Sequence, residues 1–172
     1  AGVPMMAGLQ VLEGYMPDID ATVVTRLLDA GAVIAGKANA EEPGGSQTCA
    51  LGPVRNPHKP THWAGGSSAG SAVVLATGQV DMALGGDQGG SIRVPAAWTG
   101  VYGLKPTYGL VPYTGCMMIE MTLDHVGPMC NSTEGVARML SVLAGPDPLD
   151  PRQRGVIPND YEHDYAPALE RG

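Results

Sequence analysis

Apolar residues recur at helical spacing in two parts of the chain and predict amphipathic helices there. The first helix is expected over residues 20–30, with Asp20 as its N-cap. The second begins at Asn131 or Ser132, both good capping residues, and runs to residue 144. The apolar faces consist of Val23, Val24, Leu27 and Leu28 in the first helix and Val136, Met139, Leu140 and Leu143 in the second.

Shorter apolar segments complete the pattern of an α/β fold. Residues 71–77 and 92–98 fit short buried helices, and Gly78 can cap the first of them. Buried strands are expected over residues 32–35, 80–84 and 101–104, followed by an extended piece over 108–111. The 172 residues are few enough for a single domain. Residues 146–172 are rich in Pro and Asp, so we expect them to form a surface excursion.

Two clusters of Gly and Ser bracket the predicted helix and strand at residues 71–84. The first cluster is GGSSAGS at residues 65–71 and the second is GGDQGGS at residues 85–91. Glycine at this density suits positive φ angles, close approach of a ligand to the backbone, or N–H groups that hold an anion. Because a helix followed by a strand returns the chain to its starting end, the two clusters are expected to meet.

Composition and charge exclude several other functions. The net charge of −7 argues against a nucleic-acid surface, and no apolar run is long enough for a membrane span. Cys49, Cys116 and Cys130 lack the spacing of a metal site or a disulfide framework, so we expect reduced thiols in a cytoplasmic protein and no metal or cofactor.

The Gly/Ser clusters and the residues after them carry a family resemblance. GGSSAGS, followed by GGDQGGSIRVPAAWTGVYGLKPTYGLVP at residues 85–112, resembles the amidase signature family. The resemblance runs to about residue 150 and implies an α/β fold with a mixed β-sheet flanked by helices, of which this chain is one partial domain. It also implies amide hydrolysis by a Ser–cis-Ser–Lys triad, with Ser91 as nucleophile and Ser67, preceded by a cis peptide bond, as proton relay.

The residues around Ser91 fit the other demands of amide hydrolysis. Amides need oxyanion stabilisation as well as an activated nucleophile. The turn of Gln88, Gly89 and Gly90 can aim successive N–H groups at one point, and the helix that follows is expected to point its N-terminus at Ser91. Asp87 and Arg93 are expected to pair and hold the turn in place, with Ser68 in a supporting position.

The base that the resemblance implies is a lysine with no equivalent in this sequence. Lys37 and Lys105 fall in family elements that we interpret as structural. The chain begins at Ala1 without a Met and resembles a segment of a longer protein. We therefore expect the isolated chain to be inactive or nearly so, because nothing would take the proton from Ser91.

Other interpretations of the motifs are weaker or stay open. An α/β-hydrolase with Ser68 as nucleophile needs a buried strand before it, and residues 56–63 do not form one. A phosphate-binding module is also disfavoured, because the sequence contains neither GxxxxGK followed by Ser or Thr nor GxGxxG. The remaining alternatives are an inactive scaffold and the glutaminase subunit of a tRNA-dependent amidotransferase. Gln88 and Leu110, where that subunit usually has Thr and Arg, favour a nitrile-pathway type amidase acting on a small amide; a homodimer is left open.

Overall fold

The computed structural model describes residues 1–42, 49–158, 160–161 and 163–171. Four α-helices and three β-strands make up the regular structure of this part: α1 (Thr22–Asp29), α2 (Ala69–Ala76), β1 (Met82–Asp87), α3 (Arg93–Thr99), β2 (Tyr102–Gly103), β3 (His125–Cys130) and α4 (Thr133–Leu143). Short 3₁₀ helices occupy Gln10–Leu12, Pro151–Gln153 and Ala166–Arg171. No helix in the described ranges has the length and apolar character that crossing a membrane requires.

The three strands form one sheet in the order β1-β3-β2, and both pairings are antiparallel. Gly85 on β1 lies opposite Gly127 on β3, at the middle of the longer pairing. A Cβ on Gly127 would lie 2.2 Å from the carbonyl oxygen of Leu104, so this position accepts only glycine. The missing side chain lets the chain after β2 pass directly over the central strand.

The core lies on both faces of this sheet. Side chains alternate across a strand, and on β3 Val126 and Cys130 belong to one cluster while Met129 belongs to another. The first cluster joins the sheet to α1 and α4, and the second joins it to α2 and α3. The expected α/β fold, with helices flanking a sheet, is thereby confirmed.

The helices predicted from periodicity are confirmed with small shifts at their ends. Helix α4 begins after Ser132, whose hydroxyl accepts a hydrogen bond from the N–H of Gly135 at 3.0 Å. Asn131 is not the cap; its side chain donates to the carbonyl of Leu75 at 3.0 Å. Gly78, at φ +69°, follows α2 as expected of a capping glycine. The predicted cap of α1 is wrong, because the helix starts at Thr22 and its N-cap is Ala21 instead of Asp20.

The extended segments were harder to predict. Residues 32–35 form no strand, since nothing in the described residues pairs with them and Val33 is 91% exposed. Residues 108–111 are a turn instead of an extended piece, closed by a 3.0 Å hydrogen bond from Leu110 N–H to the carbonyl of Thr107. The strand expected over 80–84 begins at Met82 and runs on to Asp87, and the strand expected over 101–104 shrinks to two residues.

Four polar side chains at the start of the predicted surface excursion are buried. Asp147, Asp150, Arg152 and Gln153 are each less than a tenth exposed. Their burial is tolerated because each polar group has a partner within the fold: Arg152 pairs with Asp150, Thr22 donates to Asp147 at 2.6 Å, and Gln153 donates to the carbonyls of Gly109 and Gly145. The expectation of a surface excursion over residues 146–172 therefore does not hold for these four side chains, although Leu149 between them is 74% exposed.

Candidate active site

The two Gly/Ser clusters meet where α2 packs on β1. The N–H of Ser68 donates to the carbonyl of Ser91 at 3.1 Å. The Ser68 hydroxyl accepts from the N–H of Gly86 at 3.0 Å and donates to its carbonyl at 3.2 Å, and Ser71 donates to the carbonyl of Leu84 at 2.8 Å. Ser68 is therefore a buried connector between helix and strand.

Ser67 and Ser91 lie on the two loops joined by this contact, and both are half-buried. The Gly66–Ser67 peptide bond is cis, as the family resemblance implies. Among the described residues no hydrogen bond joins the Ser67 and Ser91 hydroxyls. That the two hydroxyls come within hydrogen-bond reach stays a prediction, and the loops are tied by the main-chain bond from Ser68 to Ser91.

Asp87, the last residue of β1, organises the turn that carries Ser91. Its carboxylate is fully buried and accepts from the N–H of Gly90 at 2.8 Å and from the N–H of Ile92 at 3.1 Å. Burial alone would raise the pKa of Asp87, but the hydrogen bonds from Arg93, Ile92 and Gly90 outweigh it and hold the pKa below its usual value. The carboxylate is therefore charged at neutral pH.

Arg93 closes this arrangement from the solvent side. Its Nε and Nη2 atoms each donate to Asp87 at 3.0 Å, which gives a two-pronged ion pair. The Arg93 side chain is 51% exposed, and its pKa is raised by the bond to Asp87. The predicted pairing of Asp87 with Arg93 is confirmed.

The N–H groups around Ser91 divide into two sets. Those of Ile92 and Arg93, at the start of α3, face Asp87. Asp87 therefore takes up the first N–H groups of this helix, and the expected effect of the helix N-terminus on Ser91 stays a prediction. The N–H groups of Gln88, Gly89 and Ser91 have no acceptor among the described residues.

Glycines leave room beside these unpaired donors. A Cβ on Gly89 would meet none of the described residues within 4 Å, so as far as they reach the space over Gly89 is open. Gly90 has φ +141°, and a Cβ there would lie 3.0 Å from Val94. The turn can therefore present several N–H groups to a negatively charged oxygen without a side chain in the way.

A buried polar cluster beside this turn escaped the sequence reasoning. Arg152 donates to both oxygens of Asp150, at 2.9 and 2.7 Å, and to the carbonyl of Asp124 at 2.7 Å. Its guanidinium lies 4.6 Å from the centre of the Tyr113 ring, and Asp150 accepts from the N–H of Tyr113 at 2.8 Å. Burial raises the pKa of the Tyr113 hydroxyl, while contact with Gln88 acts in the opposite direction. The cluster therefore extends to the side chain of Gln88 in the turn.

Two lysines considered as catalytic amines are engaged elsewhere. Lys37 donates to the carbonyl of Val3 at 2.8 Å. Lys105 donates to the carbonyl of Pro106 and lies 3.2 Å from Nε2 of His125. These contacts fit the structural parts that the sequence suggested for both. Gly44-Gly45-Ser46, which also matches a loop near the active site in the family that the sequence resembles, lies outside the described residues.

Comparison with known proteins shows which family the chain belongs to. The family model described as Amidase matches residues 1–171. The chain belongs to the amidase signature family. An enantioselective amidase of Rhodococcus rhodochrous is 55% identical over 168 residues, which cover 94% of this chain and 32% of that protein. The glutamyl-tRNA(Gln) amidotransferase of Haloarcula marismortui has one component that is 51% identical over 152 residues, covering 87% of this chain and 36% of that one.

Solved structures of amidase signature proteins share the fold. The native peptide amidase of Stenotrophomonas maltophilia superposes with a TM-score of 0.91 at 41% identity, over 98% of this chain and 36% of that one. The chain thus spans about a third of the length of these relatives. Enzymes named for amide chemistry are among its relatives in both sequence and structure.

Proposed function

We propose that the protein carrying this chain hydrolyses carboxylic amides to carboxylate and ammonia through an acyl-enzyme on Ser91. The observation that carries the proposal is the Asp87-centred turn. It fixes Ser91 beside N–H groups that have no acceptor among the described residues. Relatives named as amidases support the reaction class.

The proposed reaction begins when the Ser91 hydroxyl attacks the amide carbon. Its proton passes to the Ser67 hydroxyl and from there to a base, which the family resemblance makes a lysine outside the three in this chain. The N–H groups of Gln88, Gly89 and Ser91 hold the oxyanion of the tetrahedral intermediate. The carbon–nitrogen bond breaks as the nitrogen takes a proton and leaves as ammonia, and water then releases the carboxylate from Ser91.

We assign the substrate to small amides rather than to glutamine in a tRNA-dependent complex. Gln88 and Leu110 depart from the residues usual in the amidotransferase glutaminase, and the 55% identity to an enantioselective amidase favours the same choice. The 51% identity to an amidotransferase component keeps glutamine as the second candidate. Three free cysteines favour a reducing compartment, and we place the protein in the cytoplasm.

The test measures ammonia release by the whole encoded protein from propionamide, benzamide and glutamine. Ser91→Ala should lower turnover by several orders of magnitude, because the covalent route through the acyl-enzyme is lost. Ser67→Ala should also be severe, and Ser141→Ala, a matched change on α4, should have no effect. Near-normal turnover by Ser91→Ala would refute the proposal, and turnover of glutamine alone would transfer the assignment to the second candidate.

A further inference from the structure

Glu41 is a buried carboxylate beside the Ser67 loop that no proposed step uses. Its side chain is 1% exposed, and one oxygen, Oε1, accepts a hydrogen bond from the indole N–H of Trp63. The other oxygen, Oε2, has no hydrogen-bond partner in the described part of the chain. Burying a carboxylate with an unpaired oxygen is costly. Because the fold keeps this costly arrangement, a function for Glu41 is expected.

The carboxylate lies directly against the residue before Ser67. An ideal Cβ on Gly66 would be 2.4 Å from Oε2 of Glu41 and 3.1 Å from the Trp63 ring. Only glycine can occupy that position while Glu41 and Trp63 keep theirs. The main chain of Glu41 makes a second contact, since its N–H donates to the carbonyl of Ser67 at 3.0 Å.

Asn39, two residues before Glu41, also contacts the Gly/Ser loop. The N–H of Gly70 donates to the carbonyl of Asn39 at 3.0 Å, and a Cβ on Gly70 would lie 2.3 Å from that oxygen. The segment 39–41 therefore braces the Gly/Ser loop at Gly66, Ser67 and Gly70. Of these contacts, the only one made by a side chain of the bracing segment is that of Glu41 with Gly66.

We propose that Glu41 is a positioning residue for amide hydrolysis, which fixes the main chain at Gly66 and Ser67 and thereby aims the Ser67 hydroxyl. This inference rests on the proposed function, because Ser67 matters only if it relays a proton. The side chain needs an acceptor for the Trp63 N–H and enough volume to fill the space against Gly66. Glutamine meets both needs, whereas alanine meets neither.

The experiment compares Glu41→Gln and Glu41→Ala in the whole encoded protein, with Glu13→Gln and Glu13→Ala, at an exposed glutamate, as matched controls. Glu41→Ala should lower kcat about 100-fold, the cost of a misplaced catalytic group, and leave KM nearly unchanged. Glu41→Gln should recover most of the lost kcat. Wild-type kcat in Glu41→Ala, or equal losses in both variants, would overturn the proposal.

Trp63→Phe keeps the test decisive if Glu41→Ala fails to fold, as judged by circular dichroism. It removes the N–H donor to Glu41 and keeps most of the ring. A lowered kcat with unchanged KM supports the proposal, and unchanged kcat contradicts it. Ser91→Ala separates the two levels: active Ser91→Ala refutes the proposed function, whereas inactive Ser91→Ala together with fully active Glu41→Ala refutes only the role of Glu41.

Discussion

Replacing Asp87 by Asn is the sharpest test of how the Ser91 turn is held. The two side chains have the same shape, but an amide offers one acceptor oxygen where the carboxylate offers two. In the structure Oδ1 accepts from Gly90 N–H and Arg93 Nη2, and Oδ2 accepts from Ile92 N–H and from Arg93 N–H and Nε. Whichever oxygen becomes an NH₂ group, one buried main-chain donor then faces another donor.

The expected loss of stability in Asp87→Asn depends on which of the donors to Asp87 can reach water instead. The half-exposed Arg93 side chain can turn outward into solvent, so the loss of its ion pair with Asp87 lowers the stability only a little. The main-chain N–H of Gly90 or Ile92 cannot reach water, and a buried donor without an acceptor lowers the stability by about 1–3 kcal/mol. We therefore expect Asp87→Asn to lower the free energy of unfolding by about 2 kcal/mol. The turn should also lose its alignment, which lowers kcat about 100-fold.

Acid unfolding gives an independent readout of the same carboxylate. Its pKa is lower in the folded chain than the usual 3.8. The stabilisation it supplies is therefore complete above the unfolded-state pKa and is lost as the pH falls through the folded-state pKa. Asp87→Asn should remove this part of the acid dependence.

Urea unfolding at pH 7 and pH 3, followed by circular dichroism, measures both effects, and ammonia release measures kcat. Arg93→Ala is the matched comparison, because it leaves Asp87 with its three main-chain donors and should cost less than Asp87→Asn. Wild-type stability and kcat in Asp87→Asn would refute the reasoning. An equal loss in Arg93→Ala would show that the ion pair, not the turn, carries the effect.

Two further predictions concern two cysteine thiols and the buried Arg152–Asp150 pair. Burial raises the pKa of the Cys116 thiol to about 12 and that of Cys130 to about 11, so neither should react with Ellman's reagent at pH 8 until the protein is unfolded in urea; rapid labelling of either in the folded protein would contradict the structure. Arg152→Met should lower the free energy of unfolding by about 3 kcal/mol, since Asp150 is left as an unpaired buried charge. Arg154→Met, at an exposed neighbour, should change it by less than about 0.5 kcal/mol in the same urea titration.

The features that the sequence predicted well depend on contacts close along the chain. The helices follow from apolar spacing, and Asp87 pairs with Arg93 only six residues away. The cluster that was missed is long-range: Arg152 reaches Asp124 across 28 residues, and Gln153 reaches Gly109 across 44. The strand expected over residues 32–35 failed for a related reason. A strand exists only with a partner, and no local pattern states whether that partner is present.

Strand β1 explains how two loops far apart in sequence come to share a site. Its carbonyls at Leu84 and Gly86 accept from Ser71 and Ser68, which fixes the start of α2 and the loop before it. Its last residue, Asp87, fixes the turn before α3. Both serine loops are thus held by hydrogen bonds to one strand, β1, which is paired along its length with β3. Their relative position then depends on β1 and its neighbours far more than on β2 at the opposite edge of the sheet.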